Sequence, residues 1–348
     1  AEEGLRMKQS GLRLYASRLA ADLNLPLRLD PIEAVLATCE RQVERILGDF
    51  EQTVGPCTTL SLLADLVANK LRTSFEVIRT DQDLIRVRQA YLAKDEVGFA
   101  RLEEDLGPGM YGVTIRLLHP EPWGMRFVSV IDCRGPKRHR EFYTKWHELG
   151  HLLVMTDQMR LVFRRTHEKR SNPEEQLIDL IAGRCGFHRS IVQRVANGPL
   201  SFDMMDALRI QLCPDSSRQA AMIGFVNAWP QPCVLVQAEL ALKAGEERQL
   251  DQSPLLPGVL ASPKHVLRAT HLTMNDLARD LNLGLFRNMR VPAESVITQV
   301  FRGATDEGSA VEDLSWWESK GVHLPPRRVR VVARRGYEGV DALILPVA

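Results

Sequence analysis

The chain is 348 residues long, room for two to three domains of roughly 100–200 residues each. At 45% hydrophobic and 26% charged it has an ordinary globular balance, which excludes the disordered class. Forty-five basic residues against 44 acidic ones leave a net charge of +1, which excludes a protein that coats nucleic acid.

The first hundred residues read as helices. Pro31, suited to a first helical turn, opens IEAVLATCERQVERILGDFEQTV, whose apolar positions recur three and four apart. Thr59 to Arg72 repeats the pattern. TSFEVIRT, MYGVTIRLLH and MRFVSVIDC are then short β-branched or aromatic runs between Gly, Pro and Asp, and predict strands of one sheet. Gly135-Pro136 ends the last of them, and a long helix is expected from near Arg140. Asn197-Gly198-Pro199 marks a boundary, residues 200–250 read as helical, and LDQSPLLPGVLASPKH from Leu250 reads as a linker. A short helix in TMNDLARDLNLGL and several strands follow. RRVRVVARRGYEGVDALILPV predicts a hairpin around Gly336 or Gly339.

No apolar run reaches the roughly 20 residues that span a bilayer, so no membrane partner is expected. The opening residues show helical spacing and no signal-peptide core. The six cysteines, Cys39, Cys57, Cys133, Cys185, Cys213 and Cys233, form no CxxC pair. In a chain this long they predict reduced thiols and a cytoplasmic location.

One motif stands out. His147-Glu148-Leu149-Gly150-His151 is an HExxH arrangement. On a helix, positions i and i+4 lie one turn apart on one face, so both imidazoles can reach a single metal ion. Glu148 can then act as general base on a water activated by that ion. Lys145 is an unusual neighbour for such a motif and is expected to point away from the metal.

A catalytic zinc takes a third protein ligand and keeps its fourth position open. The candidates lie in SNPEEQLIDLIA, which reads as a helix start with Asn172 as N-cap, Pro173 at the first position and Glu175 at the third. Glu175 and Asp179 share a face. Either Glu175 is the ligand with Asp179 behind it, or Asp179 is the ligand and Glu175 caps the helix. The capping role already explains Glu175 and tilts the choice to Asp179.

HREFYTKWHELGHLL resembles the RFT-x-AHE-x-GH segment of the ImmA/IrrE family of metallopeptidases. Asp179-Leu180-Ile181-Ala182-Gly183-Arg184-Cys185-Gly186 is similar to that family's E-x-x-A-N-x-F-A helix. The resemblance covers about residues 125–190 and aligns Asp179 with the family's third ligand, usually glutamate. Gly183 replaces the family's Asn, and its Leu-Met-Pro ending is missing. The resemblance implies an α+β chain with a zincin-like metallopeptidase core, helices plus a small mixed sheet, over residues 1–197. A helical segment over 198–254 and a C-terminal α+β GAF-like sensor or regulatory domain over 255–348 would follow.

It also implies one zinc ion per chain, with manganese as an in vitro substitute. The implied substrate is a partner helix-turn-helix repressor, whose cleavage derepresses stress or antiphage-defence genes. In that scheme His147, His151 and Asp179 hold zinc, Glu148 activates water, and the strand ending near Cys133 pairs with the substrate chain. Tyr143, His167 and His188 are candidates by position for stabilising the oxyanion.

Two further features carry expectations. A Cys133 thiolate could occupy the open zinc position and inhibit the enzyme, against the alternative of a buried strand-end cysteine. In the tail, Arg328, Arg330 and Arg334 would share one strand face near Trp316 and Trp317, a pattern that can bind single-stranded DNA or a small ligand. The competing reading is a solvated strand face. The rival function is a nucleic-acid or ligand-sensing regulator that acts by binding, without proteolysis.

Overall fold

The expected start signals sit where the helices begin. In the computed structural model, which describes residues 2–26, 30–121, 123–154, 162–166, 172–243, 246, 264–319 and 321–347, the Asp30 side chain accepts from Ile32 N with Pro31 following it. That cap opens α2 (Pro31–Thr53), which packs against α1 (Glu2–Asp22) and α3 (Leu60–Lys70). Thr80 and Asp83 close a reciprocal capping box at the head of α4 (Asp81–Leu92). A single turn, α5 (Leu102–Asp105), follows.

The three predicted strands are present as β1 (Thr73–Ile78), β2 (Met110–Arg116) and β3 (Phe127–Asp132). With β4 (Val162–Thr166) they form a mixed sheet in the order β1-β3-β2-β4, in which only β1 and β3 run parallel. Side chains alternate across a strand, and the two faces differ. Val113, Ile115, Val128 and Val130 enter an apolar cluster with Leu84, Val87, Phe99 and Leu102. Gly112, Thr114 and Ser129 therefore take the opposite face, toward α6 (Glu141–Leu153).

α6 packs against α7 (Pro173–Gly186), and α8 (Arg189–Val195), α9 (Phe202–Leu212) and α10 (Arg218–Ala228) come next. The chain divides into two compact units, residues 2–191 with 208–224, and residues 192–207 with 225–348. The divisions fall inside or beside these helices.

The second unit corrects the helical reading of residues 200–250. VLVQAELA is β5 (Val234–Ala241), an interior strand of an antiparallel sheet in the order β6-β5-β11-β10-β7. Its residues Val234, Val236 and Ala238 are fully buried. The other members are β6 (Val266–Met274), β7 (Glu307–Asp313), β10 (Arg328–Arg335) and β11 (Val340–Pro346). The predicted hairpin is β10–β11, closed by Gly336 N donating to Gly339 O at 2.8 Å.

Asn275 caps the five-residue α11 (Asp276–Asp280), and α12 (Val296–Phe301) lies on β7 and β10. A small ladder pairs β8 (Glu318–Ser319) with β9 (Val322–His323). Most of the expected linker, its residues 250–263, lies outside the described residues. Among the described residues no helix is long and apolar enough to cross a membrane.

Candidate metal centre

α6 places its chemistry by its packing. Phe142, Trp146, Leu149 and Leu153 are buried, and the same helix buries His147 (0% exposed), Glu148 (0%) and His151 (4%). The two imidazoles stand one turn apart with ring centroids 5.0 Å from each other. Lys145 turns away from them: Nζ bonds Glu141 at 2.8 Å and lies over the Phe75 ring. Arg79 bonds the other oxygen of Glu141 at 2.6 Å.

α7 reaches the histidines because small residues let it come close. A Cβ on Gly150 would stand 3.1 Å from Ile178 Cγ2, and one on Gly186 would stand 3.0 Å from the Trp146 ring. Arg184 ties α7 back to α2 through Glu33 at 2.7 Å and Glu40 at 2.9 Å. The start signal is as expected, with Asn172 accepting from Glu174 N and Pro173 next in line.

The two carboxylates meet different atoms of the histidines. Glu175 Oε2 lies 3.1 Å from His147 Nε2, and Oε1 lies 3.7 Å from His151 Nε2. Asp179 Oδ1 meets the other ring nitrogen, His147 Nδ1, at 3.0 Å. Tyr143 donates to the Asp179 carbonyl at 3.0 Å and lies 3.3 Å from Oδ1. The reason is rotational: one turn along α7 carries the shorter side chain to the far side of the His147 ring. Glu175, the longer one, fills the space between the two Nε2 atoms instead of capping its own helix.

His147, His151 and Glu175 offer ligand atoms that all lie within 4.8 Å of one another, a group that could hold a metal ion. Tetrahedral ligands at about 2.0–2.2 Å from zinc sit about 3.4 Å apart, and the observed 3.1 and 3.7 Å straddle that value. The donor set fits a cation on chemical grounds as well. His147 faces a carboxylate at each ring nitrogen, and a neutral imidazole has only one N–H to give. If Asp179 takes that proton at Nδ1, Nε2 turns a lone pair toward Glu175, and a cation between them removes the acceptor–acceptor conflict.

The remaining candidates lie elsewhere. Cys133 is buried and is not a member of the metal-binding group. Burial, followed by the charge of Glu141, pushes its thiol up to about 12, so it stays protonated near neutral pH. His188 is buried and pairs with Ser190 Oγ at 2.7 Å, whereas His167 lies outside the described residues. β3 cannot pair with a substrate chain, because β1 and β2 already occupy both of its edges. In the other unit, Arg328 and Arg330 are exposed on one face of β10, as expected. Arg334 on that face is committed internally: it bonds Asp206 at 3.0 Å, approaches Glu307 at 3.7 Å and covers the Phe202 ring. Trp316 is partly exposed, and Trp317 is core.

Two hydroxyl side chains lie beside Glu148. Thr114 donates to Glu148 Oε2 at 2.7 Å, and Ser129 stands 2.7 Å from Thr114. Each is the one Ser or Thr of its strand, MYGVTIR and FVSVID, and the two are direct partners across β2 and β3.

No protein-family model matches the chain, and no curated protein is significantly similar to it.

Proposed function

We propose that this protein is a metal-dependent peptidase, with zinc as its ion and an extended segment of a partner protein as its substrate. The observation that carries the reading is the meeting of His147, His151 and Glu175 on the seam of two packed helices, next to the buried carboxylate Glu148. A divalent cation held there supplies a Lewis acid that polarises a carbonyl and makes water more acidic.

The chain's own residues supply the rest. His147 and His151 present Nε2, and Asp179 keeps the His147 proton on Nδ1, which fixes the ring's tautomer and orientation. Glu175 brings the negative charge that balances the ion. Glu148 takes a proton from the attacking water and returns it to the leaving amine. The substrate pairs with an outer strand of the sheet, and β4 is the favoured one because its neighbour β2 carries the partner of Glu148. A helix-turn-helix repressor as the partner, with the second unit as regulator, is supported by the resemblance of residues 139–153 to the ImmA/IrrE segment.

The test is cleavage of candidate helix-turn-helix repressors from the protein's own source by zinc-loaded wild type and by Glu148→Gln. Wild type should cut one of them, and the variant should keep its zinc while losing at least about a hundredfold in rate. Equal cutting by both would remove Glu148 as the base. Repressor binding without any cleavage would favour regulation by binding alone.

A further inference from the structure

Glu148 is anchored to the sheet beneath its helix by a line of hydroxyls. Thr114 Oγ1 is 2.7 Å from Glu148 Oε2, Ser129 Oγ is 2.7 Å from Thr114 Oγ1, and Thr73 Oγ1 is 3.4 Å from Ser129 Oγ. The three side chains come from three adjacent strands, β2, β3 and β1, and each is at most 2% exposed. A hydroxyl has one proton to donate, and a carboxylate can only accept. Thr114 therefore spends its proton on Oε2, so Ser129 must donate to Thr114. Thr73 is left to donate to Ser129 or to the Ser74 carbonyl at 3.5 Å. The line has a single direction, and it ends on Glu148.

Folding alone does not call for these hydroxyls. Valine has nearly the shape of threonine and suits a buried strand better, whereas a buried hydroxyl is costly unless it is bonded. Gly112, two residues before Thr114 and on the same face, removes the Cβ that would otherwise stand 3.0 Å from Glu148 Oε1 and 2.8 Å from Thr144 Cγ2. The strand is thus shaped around this carboxylate at two positions.

We infer that Thr114, backed by Ser129, is a positioning residue for Glu148. It commits Oε2 to the sheet and leaves the handling of the proton to Oε1. The inference rests on the reading of Glu148 as the base.

Two measurements test it. The first is thermal unfolding of the metal-free protein for Thr114→Val, Glu148→Met and the double variant. The two Tm losses should fall clearly short of additive, because each single change already breaks the shared bond. The second uses cobalt(II) as a visible probe of the loaded site, together with cleavage kinetics. Thr114→Val should shift the cobalt bands in the same sense as Glu148→Gln and lower kcat roughly tenfold at unchanged KM, and Thr114→Ser should restore both.

Additive Tm losses would overturn the contact itself. Coupled losses, with cobalt bands and kcat of Thr114→Val like wild type, would reduce Thr114 to a structural residue and leave the peptidase reading intact. Wild type that binds no cobalt would overturn that reading, and the surviving Tm coupling would identify the metal reading as the part that failed.

Discussion

Glu175 and Asp179 stand one turn apart on α7 and meet opposite ring nitrogens of the same buried histidine. Spacing alone makes them equivalent, and only the rotation of α7 against α6 tells them apart. A ligand and the residue that orients a ligand differ in cost: loss of the second typically lowers metal affinity 10–100-fold, loss of the first far more. Gly112 offers a direct check on the local packing. Gly112→Ala should destabilise the protein by about 1–3 kcal/mol in urea unfolding, because Thr144 Cγ2 leaves no room for the methyl.

The cysteines predict a pH response. Burial pushes Cys39, Cys133, Cys213 and Cys233 up to about 12 and Cys185 well above its ordinary value. In the unfolded chain these thiols lose their protons near pH 9, while the folded protein keeps them. The unfolded state then binds fewer protons, so stability is intact below pH 9 and falls as pH rises toward 12. A series of Tm values from pH 7 to 11, with reductant present, should be flat at first and then decline. A Tm that rises through pH 9–11 would contradict the burial of these groups.

At the scale of elements, the helix bearing HExxH and the strands β1, β2 and β3 were legible, because each carries its own period and its own stop signal. β5 was not. Its run of VLVQAELA is short and apolar enough to fit either a buried helix or a buried strand, and only pairing with β6 and β11 on both sides decides it. The substrate-facing role given to β3 failed for a related reason. The order of strands in a sheet depends on long-range pairing, which leaves no mark on the strand's own sequence. The hydroxyls of Thr114 and Ser129 were visible in the sequence, but their meaning needed the register that sets them side by side.

The seam between α6 and α7 separates two glycines of the same type. Nothing lies within 4 Å of a Cβ on Gly183, so Gly183→Ala should stabilise the protein by about 0.5–1 kcal/mol through helix propensity. Gly150→Ala meets Ile178 Cγ2 at 3.1 Å. It should gain nothing in stability and should weaken metal binding, because α7 must give way. Chemical denaturation and metal titration of the two variants make the comparison.

Across the whole molecule, the proposed metal site lies within one compact unit and the five-stranded sheet within the other. Calorimetry should therefore show zinc raising the unfolding of the first unit and leaving the second unchanged. At a hundredfold excess over Kd the gain is about 2.7 kcal/mol.

In the proposed site His147, His151 and Glu175 hold one metal ion, with Asp179 behind His147. The most direct test is the zinc content of purified wild type, Glu175→Gln and Asp179→Asn by elemental mass spectrometry. Close to one zinc is expected per wild-type chain, none in Glu175→Gln, and weakened but detectable zinc in Asp179→Asn. Wild type without zinc, or zinc lost with Asp179→Asn and kept with Glu175→Gln, would contradict that site.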